Sequence, residues 1–251
     1  MINVEHVSCG YDSNLVIKDI SFTVKENEIL CVLGPNGCGK TTLLRAISGL
    51  LPATGMIQVN GIDLKKSGRK DIAKKVAVLN QLSNIYFSYT VYETVKMARY
   101  VHQAGGIFRS DSKEDKEFVY TCLKRVGMLE QKDCLITELS GGQLQRVFLA
   151  RVLAQDPEVI LLDEPTNHLD LKYQIELLDY IKDWAKKEKR CVIGVLHDIN
   201  HALMFADKIM LLENGKIKLC DNVEDFDLTS LNETYGIDVA SYMVHALKRW
   251  S

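Results

Sequence analysis

Eight residues, Gly34-Pro35-Asn36-Gly37-Cys38-Gly39-Lys40-Thr41, constrain the fold of this chain more than any other stretch. They follow an apolar run over 28–33, which reads as a buried strand, and they precede helical apolar spacing over 41–50. A strand that passes through such a loop straight into a helix opens a phosphate-binding α/β core. The glycines let successive backbone N–H groups face phosphate oxygens, and the helix adds the positive end of its dipole. Lys40 brings a charge to the β- and γ-phosphates of a nucleotide, and the Thr41 hydroxyl offers an oxygen to Mg²⁺. The candidate nucleotide contacts here are Gly34, Pro35, Asn36, Gly37, Cys38, Gly39, Lys40, Thr41 and Thr42. Lys40 and the helix N-terminus beside Cys38 predict a lowered thiol pKa.

Two later strand ends carry polar chemistry. Val159-Ile160-Leu161-Leu162 leads into Asp163-Glu164, so the acidic pair stands at the carboxyl end of a buried strand, where open parallel sheets bind ligands. Asp163 is placed to hold Mg²⁺, directly or through water, and Glu164 to orient and deprotonate an attacking water. His197 closes the next apolar strand, Val192-Ile193-Gly194-Val195-Leu196. A histidine at a strand end is commonly a structural hydrogen-bonder. Its parallel placement beside the acidic strand favours a ring nitrogen that touches the γ-phosphate or the water.

The surrounding pattern is α/β. Partial alternation predicts strands over 2–7 and 16–24, and Asn60-Gly61 and Asn214-Gly215 predict hairpin turns. Asn27 is placed at a left-handed turn. A strand is expected over 76–79. From about 90 to 156 no strand pattern appears. Thr90-Val91-Tyr92-Glu93 is a capping box, 115–126 is amphipathic, Gly105-Gly106 reads as a flexible break, and 143–154 reads as a helix ended near Pro157. The α/β pattern then resumes, with helices over 171–187 and 199–205 and strands over 191–196, 208–212 and 216–219. The expected fold is a P-loop NTPase core with a parallel sheet, an antiparallel β subdomain and an inserted α-helical subdomain. The core and β subdomain take 1–89 and 157–222, the helical subdomain 90–156, and a short mixed C-terminal extension 223–251.

Composition narrows the partners. A chain of 251 residues, 47% hydrophobic and 25% charged, fits a globular domain that can bury a core without metals or disulfides. Its formal net charge of −2 provides no global positive field for a nucleic-acid backbone. Seven cysteines with no C-x-x-C argue against a disulfide framework or zinc site and for a reducing cytosol. The opening Met1-Ile2-Asn3-Val4-Glu5-His6 lacks a signal-peptide pattern, and no run reaches the roughly 18 apolar residues of a membrane helix. Work at a membrane would therefore run through a partner.

A second anion cradle lies far downstream. Ser140-Gly141-Gly142 directly precedes the 143–154 helix and offers a hydroxyl, glycine N–H groups and a helix N-terminus. The plain alternative is an N-cap with flexible glycines. Because one phosphate loop has no obvious need of another cradle, a second protomer would resolve the pair, each site taking one cradle from each chain.

At this point the chain resembles a known family. Leu139-Ser140-Gly141-Gly142-Gln143 matches the signature of ATP-binding-cassette (ABC) ATPases, and the resemblance runs through nearly the whole sequence in the right order. It implies that Tyr11 stacks on adenine and that Gln81 senses Mg²⁺ and contacts the membrane subunit. It further implies that Asn167-His168-Leu169-Asp170 crosses a dimer interface and that His197 is the switch histidine. Two such cassettes sandwich two ATP molecules and drive a membrane permease. The catalytic set is then Glu164, His197, Gln81 and Lys40, and the metal set Thr41, Gln81 and Asp163. Ser140, Gly141, Gly142, Gln143 and Asp170 act on a partner's nucleotide.

A narrower likeness rests on the segment from Phe87 to Val95 after Gln81, on His197-Asp198-Ile199-Asn200, and on Tyr235-Gly236-Ile237-Asp238-Val239. These are similar to ATPase subunits of importers for iron–siderophores, haem and cobalamin. Such subunits work at the cytoplasmic face of the membrane, and a binding protein delivers the substrate. Asn80 stands where a proline often precedes the glutamine, and Ala98 where a glycine is usual. The alternatives are a transporter subunit for another substrate, a soluble ABC ATPase such as an iron–sulfur assembly factor, and a nucleotide-binding module without catalysis. Intact Lys40, Asp163, Glu164 and His197 argue against the last.

Overall fold

The computed structural model describes residues 1–80, 88–103, 112–167 and 169–248, with backbone alone at 246 and 247. Gln81, Gly105, Gly106 and His168 therefore lie outside the described residues. The chain begins with a long antiparallel hairpin, β1 (Ile2–Tyr11) and β2 (Asn14–Val24), and β3 (Ile29–Leu33) follows after a turn in which Asn27 has φ 62°. Every residue of β3 is buried. The reason is that its two faces enter different cores: Ile29, Cys31 and Leu33 on one side, Leu30 and Val32 on the other. A strand covered on both faces reads as a continuous apolar run, as this one does.

Helix α1 (Lys40–Ile47) leaves the loop, and β4 (Met56–Val59) and β5 (Ile62–Asp63) turn at Asn60-Gly61. Next come α2 (Arg69–Lys75), β6 (Val76–Asn80), α3 (Val91–Lys96), α4 (Lys113–Arg125) and α5 (Gly141–Ala154), with 3-10 turns at Met97–His102 and Ile136–Glu138. The last part holds β7 (Val159–Asp163), α6 (Leu171–Glu188), β8 (Cys191–Val195), α7 (Ile199–Phe205), β9 (Lys208–Glu213), β10 (Lys216–Asn222), α8 (Thr229–Tyr235) and α9 (Val239–Leu247).

Two sheets form. One is antiparallel in the order β2-β1-β4-β5, and the other runs β10-β9-β3-β8-β7-β6, parallel except for the edge strand β10. Helix α1 lies in the core shared by the two sheets, burying Leu43, Leu44, Ala46 and Ile47. The opposite face of the parallel sheet packs on the helices, with Val91, Val95, Val119, Leu123, Val147 and Ala150 in one cluster with Ile160 and Leu162. Among the described residues from 90 to 156 no strand occurs. Thr90 caps α3 in the expected box with Glu93. Arg99 joins two of these helices, donating from Nε to Asp115 at 2.8 Å and from Nη1 to the Ala154 carbonyl at 2.9 Å.

Three parts of the chain differ from the sequence reading. The first hairpin is longer, because bulges at Val4/Val7, Val7/Cys9 and Cys9/Gly10 break the period-2 pattern that marks a strand. Helix α2 has only Ile72 as a buried residue and so shows no helical stripe. The C-terminal extension forms two helices, and its Phe226, Leu231 and Val239 are buried in the core that takes Ile29, Cys31 and Leu33.

Candidate functional site

The phosphate loop sits at the carboxyl end of β3. Gly34 has φ 148°, and a Cβ there would stand 2.1 Å from the Leu212 carbonyl oxygen, so β9 admits only glycine. Lys40 is 7% exposed. Its Nζ donates to the Gly34 carbonyl at 2.7 Å and to the Pro35 carbonyl at 3.0 Å, which holds the ammonium under the loop.

Strand register assembles the rest. β8 lies between β3 and β7, and Asp163 is level with Val195 on β8 and with Asn80 on β6. The Thr41 hydroxyl donates to Asp163 Oδ1 at 3.0 Å, so α1 and β7 meet at two oxygen donors. Burial raises the Asp163 pKa, aided by the Glu164 charge and opposed by the Thr41 hydrogen bond and the Arg45 and Lys40 charges. A carboxyl in that position gains from a nearby cation.

Glu164 turns out of the strand with φ 54°, while its N–H still donates to the Val195 carbonyl at 3.1 Å. This left-handed backbone is uncommon for a non-glycine residue and sends the side chain away from the sheet's line. Both carboxylate oxygens are engaged. His197 Nε2 lies 2.6 Å from Oε1, and Asn167 Nδ2 donates to Oε2 at 2.7 Å. A cleft of about 350 Å³ opens beside this group, lined by Thr41, Arg45, Asn80, Asp163 and Glu164 among others. Tyr11 is 40% exposed and accepts from Arg45 Nη1 at 2.9 Å, which ties it to α1.

The expectation for Cys38 is corrected. Its thiol pKa is raised, because burial outweighs the opposing Lys40 charge and the backbone hydrogen bonds. Cys38 is 5% exposed, whereas Cys134 is exposed. At neutral pH a small thiol reagent therefore labels Cys134 well before Cys38, as peptide mass mapping of a time course will read. Equal rates would mean that the loop opens readily.

Ser140 caps α5. Its Oγ accepts the Gln143 N–H at 3.4 Å, and Gln143 Oε1 accepts the Ser140 N–H at 2.9 Å, a capping box. A Cβ at Gly142 would lie 2.9 Å from the Tyr173 ring, so this glycine serves close packing on α6. Asp170 caps α6, accepting the Tyr173 N–H at 3.2 Å. Among the described residues, no hydrogen bond or ion pair joins Ser140, Gly141 or Gln143 to the loop 34–41. The structure thus brings together Lys40, Thr41, Asp163, Glu164 and His197, and leaves the second cradle apart. Asn167 as a holder of Glu164 is new here. Its position three residues after Glu164, in a turn closed by the Asn167 N–H on the Glu164 carbonyl at 3.3 Å, is the local signal from which it could be found.

A parallel sheet carrying this loop, acidic pair and histidine along one edge defines a P-loop nucleotide hydrolase. Residues 17–167 match the ABC transporter family, and the chain belongs to that family as an ATP-binding-cassette ATPase. It is 41% identical over 215 residues, 85% of its length, to the uncharacterized ABC transporter ATP-binding protein YvrA of Bacillus subtilis (strain 168). That match spans about half of the relative, 48%. With the iron(3+)-hydroxamate import ATP-binding protein FhuC of the same organism it shares 36% identity over 217 residues, covering 86% of this chain and 80% of FhuC. Its fold matches the dimeric post-hydrolysis structure of the ATP-binding cassette MJ0796 bound to ADP and Pi, with TM-score 0.77 and 28% identity, over 90% of this chain and 100% of that one.

Proposed function

We propose that this ATPase energises import of an iron–siderophore, haem or cobalamin-type chelate through separate membrane permease subunits. It works as a pair of copies that close around two ATP molecules. The observation that carries the catalytic part is the Glu164 carboxylate, gripped by His197 and Asn167 beside the Thr41–Asp163 pair. A carboxylate held at both oxygens is oriented to take a proton from water, with no reorganisation required at the moment of reaction.

The roles follow. Tyr11 stacks on adenine. The loop from Gly34 to Thr42 holds the phosphates, Lys40 moving its charge from the carbonyls of Gly34 and Pro35 to the β- and γ-phosphates. Glu164 is the general base, and His197 keeps it oriented and reaches the γ-phosphate. Thr41 and Asp163 are hard oxygen donors suited to Mg²⁺, which keeps few protein ligands and takes the rest from phosphates and water. Bound there, the ion supplies charge neutralisation on the β- and γ-phosphates. Gln81, which lies outside the described residues, is assigned to the same metal by the family resemblance. Ser140, Gly141, Gly142 and Gln143, with Asp170, serve the other copy's nucleotide. Residues 90–156 carry this cradle as a subdomain on the core of 1–89 and 157–222.

The transport assignment rests on relatives such as FhuC, whose name states iron(3+)-hydroxamate import. No helix among the described residues is long and apolar enough to cross a membrane, in keeping with a seat at the cytoplasmic face through a permease. A substrate-binding protein would meet the permease, not this chain. Affinity isolation from detergent-solubilised native membranes tests the assignment. The expected result is co-purification of a multi-span protein whose presence raises ATP turnover; recovery from the soluble fraction with no such partner would favour a soluble assembly ATPase.

A further inference from the structure

The C-terminal extension reaches the catalytic edge at two points. Tyr235, the last residue of α8, accepts a hydrogen bond on its phenolic oxygen from the Gly34 N–H at 3.1 Å, across 201 positions of sequence. The next peptide unit is held by Lys40, whose Nζ donates to the Gly34 carbonyl at 2.7 Å. The two peptide planes that meet at Gly34 are therefore gripped by two side chains, and the close Leu212 carbonyl leaves no slack beneath them. Tyr235 is partly buried and packs against the core that includes Leu33 and Leu211. A backbone N–H in such surroundings is costly to leave unpaired.

The corner after Tyr235 is firmly built. Gly236 takes φ 68° as the C-cap, the Val239 N–H donates to Asn232 Oδ1 at 2.8 Å, and Asp238 Oδ1 accepts the Ser241 N–H at 2.9 Å. Helix α9 then meets the second point, where Asn200 Nδ2 donates to Met243 Sδ at 3.6 Å. Asn200 lies three residues beyond His197. One helical pair thus touches both the phosphate loop and the segment that carries the histidine.

We infer that Tyr235 is a positioning residue for the phosphate loop, through which the C-terminal helices set nucleotide affinity. This rests on the loop being the ATP site. Because Tyr235 touches the first residue of the loop and no reacting atom, its loss acts on binding and leaves the chemical step alone. Tyr235→Phe removes one oxygen and keeps the ring that fills the core.

The test compares wild type and Tyr235→Phe by ATP binding, steady-state ATP turnover and amide hydrogen exchange at Gly34. We expect the Kd and KM for ATP to rise about three- to tenfold, kcat to stay within about twofold, and the Gly34 amide to exchange faster. A side chain that only packs would leave all three unchanged in the phenylalanine variant, and that result would overturn the inference. A wild-type protein that fails to bind ATP would instead overturn the assignment of the loop itself.

Discussion

Glu164→Gln lowers ATP turnover at least about 100-fold while ATP binding stays within about twofold of wild type. Glutamine has the shape of glutamate, so the amide oxygen still accepts a hydrogen bond, and the Thr41–Asp163 pair is untouched. What disappears is the negative charge, the basicity of the oxygen that faces water, and one of the two acceptors held by His197 and Asn167. The left-handed backbone at residue 164 is tolerated about as well by glutamine, so the fold and the adjoining β8 register are preserved. Phosphate release and equilibrium ATP binding, measured on the same preparation, check the split. Turnover at the wild-type rate would remove Glu164 as the base and return the His197–Glu164 contact to a structural role.

Gly141→Asp produces an equally large loss of turnover, at least about 100-fold, from a position outside the cluster around Lys40. Among the described residues nothing lies within 4 Å of a Cβ added at Gly141, so aspartate fits without disturbing the fold. The Ser140–Gln143 box does not involve the Gly141 side, and helix α5 keeps its cap. An acidic side chain at the first turn of a helix even favours the isolated helix. The damage arises only if a phosphate approaches this turn from another molecule, where the added carboxylate repels it. Unchanged melting temperature and unchanged ATP affinity of the single chain, combined with lost hydrolysis, is the predicted signature. Near-normal hydrolysis would count against the shared site.

The loop, the acidic strand end and the histidine strand end were legible because each combines a short motif with a buried apolar strand, and parallel register then brings strand ends together. Less legible were features fixed by distant partners. The bulged half of β1 lost its alternation, and α2 offered one apolar residue to a core built elsewhere. The Tyr235–Gly34 hydrogen bond joins residues with no local relation in sequence. At Cys38 the neighbouring charge and helix end gave the wrong direction, because burial, a property of the folded chain, dominates the thiol. Ser140 in the second cradle could be read as an anion site or as a plain N-cap, and within one chain its hydroxyl acts as a helix cap. On the proposed shared site, the anion would come from another copy.

That shared site is the central claim, and sedimentation of Glu164→Gln tests it most directly. With Mg²⁺ and ATP this variant should run at the mass of a dimer, and with ADP at that of a monomer. Adding Gly141→Asp to the same chain should return it to a monomer in ATP while it still binds the nucleotide. A double variant that remains dimeric in ATP, or a Glu164→Gln protein that stays monomeric there, would contradict a site completed by the second copy.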